Sequence, residues 1–207
     1  NAIEQIAGNG QVRSINYANV AKATNMGLEL EYRILLATIF RNDSSKFLNG
    51  TTLFTNFSYV KSEVDVSKLN NVDPRPLQGQ SPVIVNAGIQ YIDSKYDFGV
   101  SVSYNYVGKR IVIVGNTAEP NIWENPRHVL DLQLSKTFKE KFELKLNVRD
   151  ALAQNLIFYQ DINKNGKLDK SSFTDNKDFE HAATSDNIMV NTRLAPTISL
   201  SISYKFK

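Results

Sequence analysis

The chain has 207 residues, a formal net charge of +3, 42% hydrophobic residues and no cysteine. The missing thiols exclude disulfides, thiolate metal sites and cysteine nucleophiles, and a small, dispersed charge with no basic stripe argues against a nucleic-acid partner. No run of about 18 apolar residues occurs, which excludes a transmembrane helix but not a transmembrane barrel, whose strands are only half apolar.

The chain starts at Asn1, with neither Met nor a signal-like segment, and reads as a processed product or a fragment. Residues 1–20 alternate too weakly to define a face. From Asn25 the pattern sharpens: Met26, Leu28, Leu30, Tyr32 and Ile34 share one parity, Gly27, Glu29, Glu31 and Arg33 the other. A helix would mix these sets; a strand separates them onto opposite faces. RNDSSKFLNG (41–50) reads as a turn, after which Leu53, Phe57 and Tyr59 oppose Asn56, Ser58 and Ser62. A polar connection (63–81) carries DPRPLQGQSP, whose X-Pro steps and Gly favour extended and turn backbone. Val83 to Tyr91 and Phe98 to Tyr106 alternate again around a turn at 93–96. A second connection covers 114–125. Leu130 to Phe138 and Phe142 to Val148 form a third hairpin around Lys139–Lys141. The longest connection is 151–191. The last strand, 195–206, is the clearest: Ile198, Leu200, Ile202, Tyr204 and Phe206 alternate with Thr197, Ser199, Ser201, Ser203 and Lys205.

Two features favour an antiparallel transmembrane barrel over a soluble sandwich. The connections alternate, short at 41–50, 93–96 and 139–141 and long at 63–81, 114–125 and 151–191, as outer-membrane barrels alternate turns and loops. Aromatics gather beside the short turns: Tyr91, Tyr96 and Phe98; Phe138 and Phe142; Tyr204 and Phe206. A membrane-interface belt would lie there.

Several stretches resemble the barrel of TonB-dependent outer-membrane receptors. They are NVAKATNMGLELEY (19–32), RPLQGQSPVIVNAGIQY (75–91), LKLNVRDALAQNLIFYQD (144–161) and ISLSISYKF (198–206). The RPLQGQSP block is the most specific of them, and the final Lys207 departs from the usual aromatic ending. The family carries a plug and about 22 strands, so the resemblance implies an open arc of about seven or eight strands, the C-terminal segment of a larger barrel, spanning 1–207 as one unit. It also implies a Gram-negative outer membrane and nutrient import of the glycan, peptide, siderophore or vitamin class. The implied partners are outer-membrane lipid, the remaining strands and plug, the TonB system and a surface lipoprotein. A self-contained eight-stranded barrel with a structural or adhesive role, and a soluble β-sandwich binding module, are the rival readings.

No catalytic constellation emerges, and the chain does not read as an enzyme. His128 and His181 are isolated, and Glu29, Glu31, Asp131 and Glu143 fall on the polar parity, where a barrel faces water or plug. One local motif stands out. Asp161, Asn163, Asn165 and Asp169 occupy positions 1, 3, 5 and 9 of a calcium loop, with Gly166 at position 6 and the Lys167 carbonyl at position 7. Position 12 is Ser172 instead of Glu, and a plain Asn-Gly turn accounts for the same residues. Trp123, Phe158, Tyr159 and Phe179 sit in the long connections, where aromatics either grip a ligand or pack loops together.

Parity also predicts register. A turn centred between Ser94 and Lys95 sets Tyr91 against Phe98, Ile89 against Val100 and Gln90 against Gly99. A turn centred on Glu140 sets Phe138 against Phe142, Leu134 against Leu146 and Asp131 against Arg149. The inward row is rich in small residues (Gly27, Ser58, Gly88, Gly99, Ser101, Ser103, Ser135, Ser199, Ser201, Ser203), which suits a wide lumen or a packed plug better than a self-filled eight-stranded core. The first strand and strand 195–206 are therefore expected not to pair with each other.

Overall fold

The computed structural model describes residues 2–7, 15–20, 22–66, 74–116, 119–169 and 186–206. Among the described residues thirteen strands and two short helices follow one another: β1 (Ala2–Ala7), β2 (Ile15–Val20), β3 (Lys22–Leu35), α1 (Leu36–Phe40), α2 (Lys46–Gly50), β4 (Thr51–Asp65), β5 (Val83–Asp93), β6 (Phe98–Val107), β7 (Arg110–Ile113), β8 (Ile122–Glu124), β9 (Arg127–Phe138), β10 (Phe142–Arg149), β11 (Leu156–Gln160), β12 (Asn187–Thr192) and β13 (Thr197–Tyr204). They make a seven-stranded sheet in the order β13-β10-β9-β6-β5-β4-β3, a four-stranded sheet β12-β11-β8-β7 and a hairpin β1-β2. All pairings are antiparallel. The large sheet is an up-and-down meander that does not close, as expected of a partial barrel, and β3 and β13 are its two edges.

Register turns the alternation of single strands into two continuous surfaces. On one, Leu30 lies against Phe57 and Phe57 against Val85; Ile89 against Val102, Val102 against Leu132, and Leu132 against Val148; Leu146 against Leu200. Much of this surface is left uncovered. At the β13 edge Ile198, Leu200 and Ile202 keep 69%, 61% and 63% of their area accessible, and Leu28, Leu30, Leu132 and Leu134 are exposed as well. So large a continuous apolar face does not suit water and does suit hydrocarbon. On the opposite surface polar side chains bond across strands. Asn105 donates to Asn86 (2.5 Å), Asn86 to Asn56 (3.5 Å) and Asn56 to Glu29 (2.8 Å). Gln133 donates to Asn147 (2.7 Å) and Asn147 to Ser199 (3.4 Å). The small residues of this wall leave room for one large side chain: a Cβ at Gly88 would come within 2.2 Å of Cζ of Phe54.

Aromatics close the apolar face at both ends. Phe138 and Phe142 pair with ring centroids 6.0 Å apart, and Tyr204 and Phe206 with 4.9 Å, beside the short turns. At the other end His128 sits between Tyr104, whose hydroxyl meets its Nδ1 at 2.5 Å, and Tyr106 at a ring separation of 4.9 Å. His128 thus belongs to an aromatic rim, in keeping with a strand-end polar residue.

Four sequence expectations need correction. The β5–β6 ladder sets Tyr91 against Val100, Ile89 against Val102 and Gln90 against Ser101, two residues from the predicted register. The turn is 94–97, not 93–96. Asp93 Oδ1 accepts the N–H groups of Lys95 (2.9 Å) and Tyr96 (3.0 Å), and Asp97 takes φ +47°, which displaces the loop one residue along the chain. A shift of two preserves parity, so each side chain keeps its predicted face. In the β9–β10 hairpin Phe138–Phe142 and Leu134–Leu146 pair as predicted, but the ladder stops at Leu132–Val148. Asp131 Oδ1 instead accepts the N–H of Asp150 (2.8 Å). Residues 2–7 and 15–20, in a stretch too sparse in sequence to define a face, pair as β1 and β2, and the 41–50 turn extends to α1 and α2, beginning at Leu36. His181, Phe179, Ser172 and Lys207 lie outside the described residues.

The RPLQGQSP block is held at the sheet's end by specific bonds. The Arg75 carbonyl accepts from Val64 N (3.1 Å), Ser62 Oγ from Leu77 N (3.0 Å), and Ser81 Oγ donates to the carbonyls of Val83 (2.9 Å) and Gly108 (3.0 Å). Gly79 takes φ +77° and donates to the Ile111 carbonyl at 2.8 Å. A Cβ there would touch nothing within 4 Å, so only the backbone conformation opposes substitution. Gly79→Ala is expected to destabilise by about 1–2 kcal/mol, the cost of a side chain in the left-handed region, checked by denaturant midpoints of the folded protein; an unchanged midpoint would mean the loop relaxes freely.

Candidate functional site

In a meander, successive connections emerge at alternate ends. The long ones, between β4 and β5, β6 and β9, and β10 and β13, therefore share one end of the sheet. There they build a structure the alternation of the wall strands did not announce. β7 and β8 come from the second long connection, β11 and β12 from the third, and they combine into the four-stranded rim sheet. Neighbouring segments tie it to the wall: Gln154, two residues before β11, accepts from His128 N of β9 (2.8 Å), and the Gln78 amide of the first long connection reaches the Val112 carbonyl of β7.

Between wall and rim sheet lies a cavity of about 570 Å³, lined among others by Tyr59, Tyr106, Lys109, Trp123, Tyr159 and Gly166. The loop aromatics divide. Trp123 carries the Lys109 ammonium over its ring at 4.4 Å. Tyr159 is fully buried, yet its hydroxyl has no hydrogen-bond partner among the described residues. Burial first, and then the charges of Asp161, Asp186 and Asp169, push its pKa up to about 12.

The 161–169 loop borders this cavity directly after β11. Asp161, 7% exposed, accepts from Asn165 N through Oδ1 (3.0 Å) and from Gly166 N through Oδ2 (2.8 Å). Asn163 Oδ1 also accepts from Asn165 N (3.0 Å), and Asn165 Oδ1 accepts from Lys167 N (2.8 Å). Lys164 and Gly166 take φ +56° and +82°, which curls the loop. The amides of Asn163 (2.7 Å) and Asn165 (2.5 Å) both donate to Asp169 Oδ2. Asp161, Asn163, Asn165 and Asp169 are thus drawn around one centre, while Lys167 contributes backbone at its edge. Among the described residues no group of three or more His, Asp or Glu side chains is gathered as a ready metal cage.

Two residues of this neighbourhood have no signal in the motif. Asp186, 9% exposed and next to the first residue of β12, accepts from Ile162 N (3.0 Å) and Asp169 N (2.7 Å). Its own N–H donates to the Asp169 carbonyl at 3.2 Å. Lys109 donates to the Gly166 carbonyl (2.8 Å) and stands 3.8 Å from Asp161 Oδ2. Its pKa is lowered by burial, against the opposing pull of Asp161 and Asp186. Asp186 is 17 residues beyond Asp169, and the β11–β12 pairing together with these bonds brings it back.

A family model described as TonB dependent receptor-like, beta-barrel matches residues 1–156. No curated protein and no solved structure matches the chain.

Proposed function

The chain belongs to the TonB-dependent receptor-like β-barrel family, a family of outer-membrane receptors and transporters rather than enzymes, and on that premise we propose that it forms part of the wall of a receptor importing a nutrient across a Gram-negative outer membrane. The substrate is of the glycan, peptide, siderophore or vitamin class, and the TonB system supplies the energy. The partners are outer-membrane lipid around the apolar face, the remaining strands and a plug against the polar face, and a surface lipoprotein over the rim. The long connections 63–81, 114–125 and 151–191 face outside the cell and capture substrate.

The observation that carries this reading is the seven-strand wall itself, apolar on one face, polar on the other, with every long connection at one end. A single sheet with two such faces suits a boundary between lipid and water. An open sheet of seven strands lends nothing to the self-contained eight-stranded barrel.

The test uses cells producing the whole receptor. Deleting 156–192, which removes β11 and β12, is expected to leave the receptor in the outer membrane while abolishing uptake of its substrate. Removing TonB is expected to abolish uptake by the intact receptor as well. Undiminished uptake after the deletion would defeat the capture role, and uptake independent of TonB would defeat the transport reading.

A further inference from the structure

We infer that the 161–169 loop and Asp186 together bind one calcium ion, with Asp186 supplying the carboxylate that the loop motif lacks at its twelfth position. The donors are oxygens of Asp161, Asn163, Asn165, Asp169 and Asp186 and the Lys167 carbonyl. Hard oxygen donors with neither thiolate nor imidazole among them suit calcium, which accepts six to eight such ligands in irregular geometry. The side chains of Asn163 and Asn165 already converge on Asp169 Oδ2 through their amide N–H groups, positive ends that meet the carboxylate a cation would otherwise meet. Amide oxygens keep a lone pair for a metal while accepting a backbone N–H.

A separate observation points to a ligand here. Tyr159 is fully buried, its hydroxyl has no partner among the described residues, and it lines the same cavity as residues 166–168. A buried hydroxyl without a partner forfeits its hydration without compensation. A water on the cation would give it one. Lys109, beside Asp161 and the Gly166 carbonyl, supplies positive charge at the edge of the cluster, so its removal should favour the metal.

The consequence is structural. Asp161 follows the last residue of β11 and Asp186 precedes the first of β12, so one ion would tie the far end of that strand pair and fix the roof of the rim cavity. Affinity is expected at about 10⁻⁴–10⁻³ M, the range of extracellular calcium modules.

The experiment uses the intact receptor in detergent, with terbium as the probe. Trp123 and Tyr159 should sensitise terbium luminescence, calcium should quench it by competition, and magnesium at equal concentration should not. Asp186→Asn should weaken calcium competition at least tenfold, while Ser172→Ala changes it less than twofold. Lys109→Met should strengthen it. Heat-modified electrophoretic mobility confirms that each variant remains a folded barrel, and binding is compared only among those. Terbium emission that calcium does not displace, or Asp186→Asn competing as well as the unmodified receptor, overturns the inference.

Discussion

Leu132→Arg should destabilise the membrane-inserted protein by about 2–4 kcal/mol, the cost of a cationic side chain on the lipid face near mid-membrane. Leu132 sits centrally in the apolar surface, between Val102 of β6 and Val148 of β10. It is partly exposed, so the arginine would displace no packed core and would meet whatever medium lies against the wall. Val102→Arg should behave alike. One residue along, Gln133 points to the other face, where its amide donates to Asn147. Gln133→Arg loses that bond, a net loss of about 1 kcal/mol, and places its charge in water. Ser101→Arg belongs with it. Reversible urea unfolding of the receptor in liposomes measures all four. Equal penalties on the two parities would mean that both faces are buried in protein, and the membrane assignment would fail.

The same two-faced character explains what was legible in the sequence. A wall between lipid and water imposes a separate demand on each parity, so Leu28, Leu30 and Tyr32 against Glu29 and Glu31 declare a strand without any knowledge of its neighbours. Faces survived even where register did not. The β5–β6 ladder moved by two because Asp93 caps the turn with its carboxylate, a local hydrogen-bond choice invisible to alternation. The rim sheet was illegible for a different reason. β8 has three residues and β7 four, too short to show a period. β7 pairs with β8 of the same connection, but the other partner of β8, β11, lies in the next one, so tertiary pairing defines the sheet. The calcium-like spacing of 161–169 could be read because its donors are consecutive in sequence. Asp186 could not, because nothing in the sequence says which distant carboxylate returns to the loop.

Residues 1–207 produced without further strands should fail to give a heat-resistant inserted barrel. The seven wall strands run alternately up and down, so the first, β3, and the last, β13, point the same way. They cannot close the sheet with the antiparallel pairing used everywhere else in it, and a second copy in the same membrane orientation meets the same obstacle. At least one more strand, or a larger odd number, is needed between them. Until it is present, among the described residues β13 has ladder hydrogen bonds to β10 alone, and β3 to β4 alone. β13 spans eight residues, so about eight of its N–H and C=O groups face away from β10. At roughly 2 kcal/mol or more for each group left unbonded in hydrocarbon, that single edge costs about 16 kcal/mol. The whole stability of a typical domain is about 5–15 kcal/mol, so the edge term decides the outcome. The segment is therefore expected to migrate identically in electrophoresis with and without boiling, and to leave liposomes impermeable to small sugars. The complete receptor should shift on boiling. A heat-modifiable monomer from the 207 residues alone would mean that β3 and β13 find each other after all.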